Sequence, residues 1–299
     1  MLNPVTTMFA GHLSKAALDS VALANSLINI FGNAVVLGMT TACDTYFAQA
    51  FGNGRLLYIG VLLQRALAIH VLLLLAMCVL YVNMEQLLLL IGQNPEISRL
   101  TADYMLVSIP GLFFLFLYTI LKKYITCQNY VVSTVVIGFF GLGVNALLQY
   151  IFLYQLNYGI LGSAVAQSLA CFIMFVAIVV YIIWSGVYKT TWNGMQYQML
   201  EDWGPFVKLG LYGMLMICLE WWAYEISNIF SGILGTTELA AQGIFFNIED
   251  IFISVGLGAS DATAIRVGQF LGAGEPKKAV LASDVGFTSL GRWFYAILL

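Results

Sequence analysis

Leu219-Glu220-Trp221-Trp222-Ala223-Tyr224-Glu225 places two carboxylates and three large aromatics inside a largely apolar run from about Phe206 to Leu234. Roughly 20 apolar residues span a bilayer as an α-helix, and these acids fall near the middle of such a span. A charge there costs about 2.5 kcal/mol or more, so an intramembrane acid is by default a candidate for function.

Composition supports the membrane setting. Hydrophobic residues make up 61% of the chain and charged residues 9%, against about 45–50% and about 25% in a soluble globular domain. The fold class is therefore all-α, a multi-pass transmembrane helix bundle with the lipid bilayer as partner. The net charge of −3 comes with no basic stripe, so no nucleic-acid partner is expected. Five cysteines are scattered singly in or beside apolar runs. That is neither a disulfide framework nor a metal spacing, and no metal or cofactor is expected.

Working outward, Met1–Ala10 reads as the tail of a helix whose beginning lies upstream. Apolar helical runs follow at about Leu18–Ala48, Tyr58–Val82, Thr101–Leu121, Tyr130–Tyr154, Ile160–Trp184, Phe206–Leu234, Leu239–Ala264 and Ala279–Leu299, the first seven read as complete spans. Alternate connectors carry the basic residues: Arg55 and Arg65, Lys122 and Lys123, Lys189 and Lys208, then Arg266, Lys277 and Lys278. The intervening connectors hold only Lys15 and Arg99. Cytoplasmic loops are the ones enriched in Lys and Arg, so the basic connectors are expected to face the cytoplasm and the turn Gly235–Glu238 the outside.

An internal repeat organises the spans. Gln49-Ala50-Phe51-Gly52-Asn53-Gly54 matches Gln269-Phe270-Leu271-Gly272-Ala273-Gly274, 220 residues later, and Ala10–Ser14 parallels Ser231–Gly235. An even number of spans separates the copies, which gives them one orientation, the parallel-repeat design of some transporters. Residues 1–200 are then one lobe with its cytoplasmic connector, and 201–299 the start of a second.

Several of these stretches together resemble the multidrug and toxin extrusion (MATE) transporters, most closely their vertebrate-type branch. They are Ala42-Cys43-Asp44-Thr45 with Gln49 and Gly52, Val61–Arg65, Glu220–Glu225, and Arg266-Val267-Gly268 with Leu271–Gly274. The resemblance covers essentially the whole chain. It implies two pseudo-symmetric six-helix lobes around a central cavity and export of organic cations in exchange for protons, by a monomer in the plasma membrane. It also implies that the start of the first helix and everything after the ninth lie outside this chain. Glu220 and Glu225 match the family's cation-site and proton-coupling acids. Asn247 stands where the vertebrate-type pattern has an acid; Glu249 and Asp250 follow, so either they substitute or the site has lost one acid.

The chemistry suits that reading. Glu220 and Glu225 diverge by roughly 140° around a helix, so they serve different faces. Glu225 lies nine residues before Leu234 and Asn247 eight after Leu239; in an antiparallel hairpin they share a depth, with Glu249 and Asp250 between Glu225 and Glu220. Burial and like-charge neighbours raise carboxylate pKa values, so such acids can trade a proton for a cation. Trp221, Trp222 and Tyr224 offer π faces to a quaternary ammonium group, or simply pack. Asp44 is expected to hydrogen-bond near the inner mouth, in a structural or gating role, with Arg65 as its partner; Arg65 and Gln64 are expected to snorkel. Asn29, Asn33, Asn145 and Gln149 read as interhelical hydrogen-bonding residues. A seven-span receptor is the main rival, and it sits poorly with the repeat and the mid-span acids. A related lipid or oligosaccharide flippase would need a basic cavity.

Overall fold

The computed structural model describes residues 15–156 and 158–298, and among these the regular elements are all helices. The first match of the upstream repeat, Ala10–Ser14, and the segment Met1–Ala10 lie outside the described residues. α1 (Lys15–Ile28) leads through a π-helical turn, Asn29–Asn33, into α2 (Ala34–Gly52). Then come α3 (Leu56–Val82), the short α4 (Met84–Leu90), α5 (Pro95–Thr126), α6 (Val131–Tyr150, prolonged by a second π turn, Ile151–Gln155) and α7 (Gly159–Ser185). A connector containing α8 (Tyr188–Thr191) reaches α9 (Trp203–Leu234), α10 (Thr236–Gly272) and α11 (Pro276–Leu298).

Among the described residues, six helical segments are long and apolar enough to cross a membrane: Asp19–Gly52, Leu56–Val82, Pro95–Thr126, Val131–Gln155, Gly159–Ser185 and Trp203–Asn228. α10, expected as a seventh, runs over Thr236–Gly272 and carries Glu249, Asp250, Asp261 and Arg266 along its length. The apolar run expected at Thr101–Leu121 is also longer than read. Asn94 accepts a hydrogen bond from the Glu96 amide (2.9 Å) with Pro95 at the first helical position, so α5 starts there. Such N-caps satisfy amides that the helix leaves unbonded. At its other end α5 carries both Lys122 and Lys123 as helical residues rather than loop residues.

The first bundle has two buried clusters. One, around Phe47, Leu62, Ile120, Tyr124 and Ile178, lies toward the basic connectors. The other, around Val21, Ile28, Tyr81, Tyr104 and Leu112, lies toward the opposite end. Facing outward are Val132, Phe139, Ile183 and Trp184, among other exposed apolar side chains. In water such a surface would be costly; in a bilayer it is the solvated surface.

α9 and α10 join this bundle through α2. Apolar side chains gain little by leaving lipid for protein, so membrane helices associate where small residues let backbones meet. A Cβ on Gly38 would sit 2.7 Å from the Met214 amide nitrogen, one on Gly213 would strike the Thr41 hydroxyl, and one on Gly210 would lie 2.8 Å from the methyl of Met39. Tyr46 stacks on the buried Phe206 ring at 5.3 Å. α10 approaches the end of α2 in the same way, and there the repeat becomes visible as structure. The amides of Asn53, Gly54 and Arg55 bond to the carbonyls of Gln49, Phe51 and Ala50, and those of Ala273, Gly274 and Glu275 to Gln269, Leu271 and Phe270. Gly54 and Gly274 take φ of 71° and 74°, the left-handed conformation that ends helices in the Schellman pattern. Two segments far apart in sequence thus build one turn twice.

The glycine contacts give a test. Gly213→Leu should lower the melting temperature of the detergent-solubilised protein by several degrees, since overpacking a tight contact costs about 1–3 kcal/mol. Gly143→Ala, where a Cβ meets nothing within 4 Å, should leave it unchanged. Equal melting of the two variants would show that the α2–α9 approach does not hold the helices together.

Candidate functional site

The candidate acids sit where α9 and α10 leave the bundle. α9 is buried at Phe206 and again at Cys218, and past Cys218 its described side chains are exposed or half-buried. No described side chain of α10 is fully buried before Ile265. The two helices form the expected antiparallel hairpin: Tyr224 packs edge-on against Phe246, with ring centroids 5.2 Å apart, and Gln242 donates to the Ser227 hydroxyl at 3.2 Å.

That register brings part of the expected set together. The Tyr224 hydroxyl donates to Glu249 Oε1 at 3.4 Å, so Glu249 reaches the seam between the helices. Glu225 is half-buried one residue on, and Glu220 is exposed, as the divergence of their faces requires. Trp221 is half-buried and Trp222 exposed. Among the described residues neither Glu220 nor Glu225 makes an ion pair. Asn247 and Asp250 are helical residues of α10, level with this cluster, and their side chains lie outside the described part of the structure.

One neighbour escaped the sequence reading. The α2–α9 contacts run antiparallel, Tyr46 against Phe206 and Gly38 against Met214, and the same register carries position 32 to the level of Glu220. The π turn Asn29–Asn33 is there, in contact with α9. Within it the Asn33 amide donates to Asn29 Oδ1 at 2.9 Å, so these two asparagines brace the turn. π turns inside helices are frequent at functional sites, but this one has no sequence signature beyond Asn29, Gly32 and Asn33. Gln149, by contrast, does bridge helices, donating to the Ser163 carbonyl at 3.2 Å.

At the other end of α2 two expectations are corrected. Asp44 pairs with Lys123, not Arg65: Lys123 Nζ lies 2.7 Å from Asp44 Oδ2 and 3.4 Å from Asp261 Oδ2. Arg65 and Gln64 do not snorkel but are buried. The Arg65 guanidinium donates to the Gln198 carbonyl at 3.0 Å; Gln64 donates to the Gly194 carbonyl (2.8 Å) and accepts from the Gln196 amide (3.0 Å). Both residues therefore strap the connector onto α3. The reason is depth: α3 starts at Leu56, which puts Gln64 and Arg65 more than two turns inside it, under a connector that folds back over them.

Comparison with known proteins places this arrangement. The MatE family model matches residues 1–151 and 214–290, most of the chain. The chain belongs to the MatE family. It is 40% identical to multidrug and toxin extrusion protein 1 of Rattus norvegicus over 301 aligned positions, covering 100% of this chain and 53% of that protein. Against the Homo sapiens protein of the same name the identity is 39%, over 95% of this chain and 50% of that one. The fold matches the crystal structure of the eukaryotic MATE transporter AtDTX14 with a TM-score of 0.87 and 25% identity, over 95% of this chain and 64% of that chain. The chain thus spans about half the length of the curated relatives it matches. MatE relatives are transporters rather than enzymes, which removes the receptor reading.

For a MatE chain with this geometry the Lys123–Asp44 pair has a measurable weight. Lys123→Met leaves a mostly buried carboxylate without its partner and should cost about 3 kcal/mol of stability. The double variant Lys123→Met/Asp44→Asn should recover most of that loss in the same unfolding assay. A double variant as unstable as the single one would mean that the two side chains are not energetically coupled.

Proposed function

We propose that this MatE protein exports small organic cations in exchange for protons, as a monomer in the plasma membrane with its basic connectors in the cytoplasm. The observation that carries the reading is the hairpin cluster: Glu220 and Glu225 without ion-pair partners among the described residues, beside Tyr224 and Glu249, in a membrane-length helix. An acid that merely held helices together would have a basic partner, since an unpaired charge at that depth is expensive. Left without one, it is available to a cation or a proton.

In this reading Glu220 contacts the cation from the open side, opposite the polar π turn Asn29–Asn33. Glu225 couples protonation to the α9–α10 seam. Tyr224, through its hydroxyl, orients Glu249, which stands in for the acid that the vertebrate-type pattern has at position 247. Trp221 supplies an aromatic face to the cation. The names of the relatives, multidrug and toxin extrusion proteins, support the export direction.

The longest natural form of the protein, reconstituted in vesicles, should take up a model quaternary ammonium compound when the proton gradient points outward. Glu220→Gln, at equal abundance in the membrane, should abolish that uptake, and Glu249→Gln should reduce it severalfold. Uptake by Glu220→Gln at the unmodified rate would sink the assignment of the site. Uptake indifferent to the proton gradient would sink the coupling ion instead.

A further inference from the structure

Between Asp103 and Glu201 the chain has no acidic residue, and the cations of that stretch are Lys122, Lys123 and Lys189. The stretch holds α6 and α7, which pack unevenly. Away from the basic connectors the two helices meet closely: a Cβ on Gly141 would run into the Met174 side chain, and Gln149 donates to the Ser163 carbonyl. Toward the basic end they face each other with small or branched side chains, and a groove of about 510 Å³ opens between them. Val132, Val136 and Ile137 line one wall, and Ala177, Val180 and Trp184 the other. From Ala177 to Trp184 the groove runs about 10 Å along α7, at 1.5 Å per residue. Ile137 is buried within it, whereas Trp184, at the mouth, is 82% exposed.

The mouth has its own chemistry. Tyr130 and Tyr181 meet edge-on there with ring centroids 6.4 Å apart, and Tyr181 lies 6.3 Å from Trp184. Tyr130, Trp184, Tyr188 and Trp192 are all exposed, an aromatic belt of the kind that marks the level of lipid headgroups. Gly186, at φ 70°, ends α7 and turns the chain into α8. Buried Thr191, hydrogen-bonded to Tyr124, fixes α8 in place. Lys189 is thereby held over the end of α7, its Cδ 3.8 Å from where a Cβ on Gly186 would stand. Among the described residues Lys189 makes no ion pair. α6 begins at the same mouth with no side-chain cap, and the open amides of a helix start add positive partial charge.

We propose that the groove binds one anionic phospholipid, with an acyl chain between α6 and α7 and the headgroup against Lys189. The apolar walls alone would take any lipid chain. Selection comes from the mouth, which is basic and has no acid within its stretch of sequence, so a headgroup with net negative charge fits it better than a zwitterionic one. Anionic lipids are concentrated in the cytoplasmic leaflet, the side on which the basic end is proposed to lie; only the choice of leaflet rests on that orientation.

Bromine on an acyl chain quenches a tryptophan only near contact, so brominated lipids report what occupies the groove. The longest natural form of the protein is reconstituted in dioleoylphosphatidylcholine vesicles with rising fractions of brominated phosphatidylserine or, in parallel, of brominated phosphatidylcholine. Subtracting the signal of Trp184→Phe isolates Trp184. Half-quenching should need a severalfold smaller fraction of the brominated phosphatidylserine than of the brominated phosphatidylcholine. Lys189→Gln should raise that phosphatidylserine fraction about fivefold, the order that one lysine contributes at an anionic surface, and Lys189→Arg should leave it unchanged. Val136→Phe, which fills the groove below the mouth, should remove the preference while the melting temperature holds. Equal quenching by the two lipids would mean ordinary surrounding lipid and overturns the site, as does a preference undiminished in either Lys189→Gln or Val136→Phe. Quenching by neither lipid would mean that protein, such as a second copy of the chain, covers the groove, and overturns it as well. None of these readouts needs transport, so a failure of the exporter reading leaves them intact.

Discussion

The rest of the structure depends on the close backbone approach of α2 to α9 and α10. Lipid solvates leucine as well as a protein core does, so the association has to come from contact that lipid cannot match. Gly38, Gly210 and Gly213 provide it against α9, and Gly52, Gly268 and Gly272 against α10. All but Gly38 lie in the halves of their helices nearest the basic connectors. The contact is therefore tight at one end, and along the far halves of α9 and α10 the described side chains are exposed or half-buried, Glu220 among the exposed ones.

Much of this was legible from residue types alone. The apolar runs located the helices, the spacing of Glu225 from Leu234 and of Asn247 from Leu239 gave the hairpin its register, and Gln-x-x-Gly-x-Gly announced a turn that the chain builds twice. What sequence did not reveal are contacts between residues far apart along the chain. Asp44 and Lys123 are separated by 79 positions, and nothing local distinguishes Lys123 from Arg65 as a partner. Judging Arg65 shallow followed from a basic residue near a basic connector; only the fold shows the connector returning over it. The π turn at Asn29–Asn33 was hidden because an extra residue per turn leaves the apolar pattern almost intact.

The asymmetry between the two repeats bears on mechanism. Gln49 and Gln269 occupy equivalent backbone positions, yet Asp44 has no acid at the equivalent place in the second repeat, where Ala264 stands. The Asp44–Lys123 pair thus belongs to one repeat, and the reciprocal glycine contact, Gly52 on Gln269 and Gly272 on Gln49, to both. Glu249 accepts from the Tyr224 hydroxyl across the hairpin, two residues on from position 247 and therefore about 200° around the helix from it.

The central claim is that a cation is held on the half of the α9–α10 hairpin that lies beyond the α2–α10 crossing. An electron cryo-microscopy map of the longest natural form of the protein with a bound quaternary ammonium compound tests it most directly. The account predicts ligand density beside Glu220, level with the Asn29–Asn33 turn. Density confined to the interior of the first bundle, or a cation bound at the Asp44–Lys123 end, would contradict it.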